Sequence, residues 1–197
     1  SRAALLTGKY PIHTGLYHES VGTATPFGLP LAFRTLADHL KSAWPSTAAH
    51  GVGKWDLGHF HADFVPTSRG FDTWYGYFSS FTGYFSHVGE LGTCKDVTCF
   101  TDFNIDGRSL AAEAGAYSTD LFAARAEAVV GAHDSERPLF LYFAPTSCHG
   151  PVAAPLTVFE DANARANVLD ATPSHDRRVF AACVVAPDEA AVRREAA

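Results

Sequence analysis

An α/β fold, with a mostly parallel central sheet flanked by helices, is predicted by three observations on this sequence. Stretches with helical and strand patterning alternate along the chain. One run, "RPLFLYFAP", is continuously apolar over the length of a strand, as suits a central parallel strand buried on both faces. Each of the two candidate strands leads into a loop, "GKWDLG" and "TSCHGP", of the kind that leaves the carboxyl edge of such a sheet.

The elements follow in order. Ser1–Thr7 reads as a short helix closed by Gly8, with Tyr10-Pro11 ending it, and its exposed N–H groups beside Arg2 suit an anion. "HTGLYHESVGTATPFGLP" is rich in Gly, Thr and Pro and reads as irregular. In "LAFRTLADHLKSA", Leu31, Phe33, Leu36, Ala37 and Leu40 fall near helical spacing, and Pro45 stops the helix. "STAAHGVGKW" follows as a strand. Residues 56–90 carry many aromatics and glycines and read as folded loop, either packed on the core or walling a pocket. "YSTDLFAARAEAVVGAH" is the clearest helix, with Ser118 or Thr119 as N-cap and Leu121, Phe122, Ala128 and Val129 facing inward. The segment "RRVFAACVVAPDEAAVRREAA" reads as helical, with Pro187 kinking or restarting it.

The chain has 197 residues, enough for one domain with a sizeable core, and no internal repeat. Its net charge of -6 argues against a general nucleic-acid binder, so its basic residues are better assigned to a local anion site. Its apolar runs are too short to span a bilayer. Met is absent and no signal peptide is visible, which leads us to expect an internal piece of a longer protein, incomplete at both ends. Of four cysteines, Cys94 and Cys99 bracket the loop "CKDVTC" and favour a small disulfide, with zinc as the competing reading. Cys183 lies in an apolar run and reads as a small buried hydrophobe.

Ligands of open α/β sheets bind beyond the carboxyl ends of the strands. That rule brings Lys54, Asp56 and His149 to one edge, where Arg2 adds a second fixed cation. Two cations, a carboxylate and an imidazole suit a small tetrahedral oxyanion and one proton transfer. Singly, each residue has a plainer reading, as a solvated cation, a chain-end contact or a structural histidine. Three decoys fall away. "GVGKW" lacks the first Gly of a phosphate-binding loop and has Trp55 where Ser or Thr would hold magnesium. The pair His59 and His61 has no evident further ligands. Cys148 and His149 are adjacent, so they point apart and make no thiol–imidazole dyad.

Together these motifs resemble the type I sulfatases of the alkaline phosphatase-like superfamily, in particular the arylsulfatase B-like group. "SRAALLTGKY" is similar to the end of C-x-P-S-R-x-x-L-L-T-G-x-Y, and "GKWDLG" to G-K-W-x-x-G. "SRGFDTWYGYFSSFTGYFSH", "YSTDLF", "PLFLYFAPTSCHGP" and "DEA" follow in the family's order. The resemblance implies a partial catalytic domain over 1–197 that hydrolyses sulfate esters of small molecules or glycans. It implies a formylglycine nucleophile, made by a formylglycine-generating enzyme from a cysteine three residues before Ser1. It also implies a calcium ion whose ligands lie outside this chain, and a lysosomal or secreted location. Carried over by position, Arg2 steadies the formylglycine hydrate, Lys54 bridges hydrate and sulfate, and His149 sits by the leaving oxygen and helps protonate it. Asp56 departs from the histidine usual in the family and is expected to act as base. Two rivals stand beside this: a phosphodiester or phosphonate hydrolase of the same superfamily, and a non-catalytic binder of sulfated ligands.

Overall fold

A computed structural model describes residues 1–17, 20–22, 24–89, 100–157 and 174–192. Helix α1 (Arg2–Thr7) buries Ala3 and Leu6, and Gly8 closes it in the left-handed conformation. Pro11 starts a further short helix, α2 (Pro11–Thr14), since proline at the first position forfeits no helical bond.

Helix α3 (Leu36–Ala43) begins five residues later than its apolar spacing suggests, leaving Leu31 and Phe33 outside it. Thr35 and Asp38 explain the start. The Thr35 hydroxyl accepts from the Asp38 N–H, and the Asp38 carboxylate accepts from the Thr35 N–H. A reciprocal cap of this kind outweighs a few apolar residues upstream.

Strand β1 (Ala48–Lys54) runs parallel to β2 (Thr73–Tyr77) on one side and to β7 (Leu139–Ala144) on the other. β3 (Val88–Gly89) and β4 (Phe100–Thr101) form a separate antiparallel pair. β5 (Asn104–Ile105) and β6 (Arg108–Ser109) join the main sheet antiparallel, giving the order β6-β5-β2-β1-β7. Two expectations are corrected here. The aromatic stretch 56–90 contains strand β2 rather than loop alone, and Trp74, Tyr75 and Tyr77 are core residues. The apolar β7 is an edge strand among the described residues, with Phe143 42% exposed. β1 lies between β2 and β7, and the packing of β2 against it leaves no room for a side chain at position 51: a Cβ on Gly51 would stand 2.4 Å from the Trp74 ring.

Helix α4 (Ser118–Gly131) has Tyr117, not Ser118 or Thr119, at its N-cap. Both hydroxyl residues are buried, and Thr119 Oγ1 lies 3.2 Å from Ser147 Oγ, tying the helix to the loop after β7. Phe122 and Ala123 are the buried face; Ala128 is exposed. Helix α5 (His175–Val192) is helical on both sides of Pro187, so no restart occurs. One missing N–H removes a single bond while those around it persist. Among the described residues no helix is long and apolar enough to cross a membrane. Cys94 and Cys99 lie outside the described residues, whereas Cys183 is fully buried, as expected.

Buried polar side chains lock the loops. Arg69 donates to the carbonyls of Leu29 and Phe33, and its own carbonyl accepts from the Thr35 hydroxyl. Asp102, 1% exposed, accepts from the N–H groups of Phe78 (2.9 Å) and Ser79 (2.8 Å) and from Asn104 Nδ2 (3.0 Å). Asp102→Ala would leave these donors buried and unpaired, and is expected to destabilise the protein by about 3 kcal/mol. A lowered urea midpoint checks this, and Asp102→Asn should retain part of the loss because it keeps one acceptor oxygen.

Candidate active site

The two parallel strands β1 and β7 end at the same edge, which places Lys54 beside the loop 145–150. Helix α1 brings Arg2 to that edge because Ala3 and Leu6 are anchored in a core with Leu29, Ala49, Trp55 and Tyr142. Trp55 is part of this anchor. Its Nε1–H donates between the carbonyls of Gly58 (3.0 Å) and Phe64 (2.9 Å), a structural role in the position that excludes a phosphate-binding loop.

A cavity of about 370 Å³ opens here, lined by Arg2, Tyr17, Ser20, Lys54, Asp56 and His149 among others. An adjoining cavity of about 200 Å³ shares Arg2, Lys54 and His149 and extends to Tyr77, Thr146 and Ser147. The four residues singled out from sequence therefore meet at one place.

Lys54 is 5% exposed. Its ammonium donates to the Ser80 carbonyl and stands 3.5 Å from Asp56 Oδ2. Burial pulls its pKa below the ordinary lysine value of 10.5; Asp56 opposes that shift and Arg2 adds to it. Asp56 adopts φ 55°, and its Oδ1 accepts from the Val21 N–H at 3.0 Å. Its other oxygen faces both Lys54 and, at 3.9 Å, Arg2. The carboxylate is thus flanked by two cations. Arg2 Nε is buried and has no acceptor among the described residues, which leaves a donor for a ligand oxygen.

His149 is exposed at the rim, with its ring 5.8 Å from that of Phe81. Its Nδ1 lies 2.7 Å from the Gly150 carbonyl, which can only accept. Nδ1 therefore carries the proton, and Nε2 is the nitrogen that exchanges a proton with a ligand.

Sequence reasoning missed the supports. The Tyr84 hydroxyl lies 3.1 Å from the Thr146 carbonyl and 2.9 Å from that of His149, and accepts from the His149 N–H at 3.1 Å. Burial pushes its pKa well up, so it remains a neutral phenol. Tyr84, Ser80 and Val21 act across separations of 26 to 65 residues, and no local pattern announces them. The His59 and His61 pair gathers no metal site. His59 stacks on Phe78, while exposed His61 pairs with Asp63 at 3.4 Å. Among the described residues no three of His, Cys, Asp and Glu stand together as a metal ion would need, so they do not make the implied calcium site.

Comparison with known proteins identifies the family. The family model described as Sulfatase matches residues 1–190. Mouse arylsulfatase J is 36% identical over 192 residues, covering 96% of this chain and 30% of that protein. Human N-acetylgalactosamine-6-sulfatase is 29% identical over 167 residues, covering 78% of this chain and 31% of that protein. The crystal structure of Ps i-CgsB in complex with k-i-k-neocarrahexaose superposes with a TM-score of 0.77 at 25% identity, covering 96% of this chain and 41% of that one. The chain thus spans about a third of the length of these curated relatives. A family match over nearly every residue, with its motifs gathered at one cavity, has one reading: this chain belongs to the sulfatase family.

Proposed function

We propose that the full-length protein is a sulfuric ester hydrolase of the arylsulfatase type, and that this chain supplies its sulfate-binding and proton-transferring groups. The observation that carries the reading is the convergence of Arg2, Lys54 and His149 on one cavity, with Arg2 Nε left without an acceptor. A sulfate ester offers three acceptor oxygens bearing one negative charge. Arg2 and Lys54 bind these oxygens, and as the S–O bond lengthens their charges meet the growing negative charge on the departing group. His149 Nε2, when protonated, hands a proton to the leaving oxygen. Asp56 balances the cations and acts as the proton acceptor in place of the usual histidine.

In this reading the nucleophile is a formylglycine, made by a formylglycine-generating enzyme from a cysteine three residues before Ser1. A bound calcium ion, for which the described residues offer no cluster of ligands, would withdraw charge from the sulfate oxygens. The substrate class is a sulfated glycan, and the protein works in a lysosomal or secreted setting. Support for the glycan comes from relatives whose names or bound ligands are sugars: N-acetylgalactosamine-6-sulfatase and the neocarrahexaose complex.

The test is sulfate release from an aryl sulfate by the full-length protein, co-expressed with the formylglycine-generating enzyme. Release is expected. No release, with the modified residue confirmed by mass spectrometry, would overturn the hydrolase reading. Asp56→Asn removes the acceptor while keeping the shape, and turnover is expected to fall by about 10²-fold. Undiminished turnover would sink Asp56 as the base.

A further inference from the structure

The loop that presents His149 also carries Cys148, and α5 brings Cys183 up beneath it. The Cys148 N–H lies 2.7 Å from Cys183 Sγ, and the Tyr84 hydroxyl is 4.0 Å from the same sulfur. Cys183 is fully buried in a small cluster with Tyr84, Tyr117 and Ala182, and half-buried Cys148 packs on that cluster. The two thiols also hydrogen-bond to each other, so the two sulfurs lie side by side. Thiols so placed need no large backbone movement to meet the reach of a disulfide. Cys148 holds φ 65°, unusual for a residue with a side chain, and this turn sets it over α5.

We propose that Cys148 and Cys183 form a disulfide that staples the His149 loop to α5. The oxidant is a low-molecular-weight disulfide such as oxidised glutathione. Two S–H bonds and the small disulfide's S–S bond break, and one S–S bond forms between the cysteines. The two protons and two electrons leave on two small thiols. Burial, reinforced by the neighbouring Cys183, pushes the Cys148 thiol up to about 12, so once folded it is protonated and slow to exchange at neutral pH. The bond therefore forms while the chain folds, before α5 covers Cys183, and is afterwards shielded from reductants. It acts as a structural staple for the loop that Tyr84 already grips, and it stands independently of the hydrolase reading.

The test is a disulfide map of the full-length protein refolded from its reduced state in a glutathione redox buffer. Free thiols are alkylated under denaturing conditions, and the protein is digested without reduction for mass spectrometry. A Cys148 peptide joined to the Cys183 peptide, lost on reduction, is expected. Reduction should also lower the Tm of the wild type, and by more than it lowers that of Cys148→Ser, which lacks this one bond. Recovery of Cys148 and Cys183 in alkylated form, or joined to Cys94 or Cys99, overturns the proposal. The same map on protein purified from an oxidising secretory compartment is read identically, so poor refolding in vitro does not obscure the outcome.

Discussion

Lys54→Ala in the full-length protein is expected to lower kcat for aryl sulfate hydrolysis by about 10³-fold while leaving the fold intact. The magnitude follows from position. Lys54 ends the inner strand of the sheet, is 5% exposed, and is aimed by the Ser80 carbonyl and the Asp56 carboxylate. A cation held in place before the substrate arrives needs no reorganisation as charge develops, and no solvated lysine elsewhere can replace it. Some stability should be lost as well, because the Ser80 carbonyl and the Asp56 carboxylate each lose a partner, although Arg2 and the Val21 N–H still face Asp56. Circular dichroism, together with kcat and KM measured separately, distinguishes lost catalysis from lost folding.

The same residue sets a pH dependence. Burial lowers the Lys54 pKa, so the charged form needed for catalysis disappears on raising pH earlier than an ordinary lysine would allow. The alkaline limb of kcat/KM, which reports the free enzyme, should fall below pH 10.5. Asp56 raises this pKa, so Asp56→Asn should move the limb to still lower pH. A limb that stays fixed in Asp56→Asn would argue that Lys54 does not titrate there.

Gly53→Ala, one residue earlier, is expected to abolish folding or cost more than about 4 kcal/mol. Gly53 has φ 107°, and an added Cβ would stand 2.1 Å from the Ala144 carbonyl oxygen. Both the strain and the clash involve backbone, so no side chain can yield. Because Gly53 pairs with Gly76 on one side and Ala144 on the other, β1 cannot shift without breaking two ladders. Any relief would also displace Lys54 and the loop leading to His149. Soluble expression and thermal unfolding of the full-length variant check this, and a wild-type Tm would contradict the meeting of β1 and β7 described here.

Much of the site was legible in advance because it lies in short motifs. Arg2 and Lys54 sit at the ends of α1 and β1 and His149 in the loop that leaves β7, and parallel strands deliver their carboxyl ends to one edge whatever the rest of the fold does. Boundaries were less legible. Apolar spacing put the start of α3 at Leu31, but the Thr35–Asp38 cap decided it. Ser118 and Thr119 look like caps from their chemistry, yet both turn inward, Thr119 toward Ser147. The run 139–144 is apolar enough for a central strand, yet among the described residues it lies at the sheet edge, with β1 between it and β2.

By itself, the sequence determined the α/β class, the family motifs and the four residues, Arg2, Lys54, Asp56 and His149, that line one cavity. These rest on local periodicity and on residues a few positions apart. Only the tertiary structure decided that Asp56 lies between Arg2 and Lys54 and is held by Val21, that Tyr84 supports the His149 loop, and that Cys183 reaches Cys148. Each joins residues 35 to 65 positions apart, except the pair of Lys54 with Asp56, two positions apart at the end of β1. Such contacts depend on how buried surfaces fit together, and the spacing of residues along the chain does not encode that fit locally.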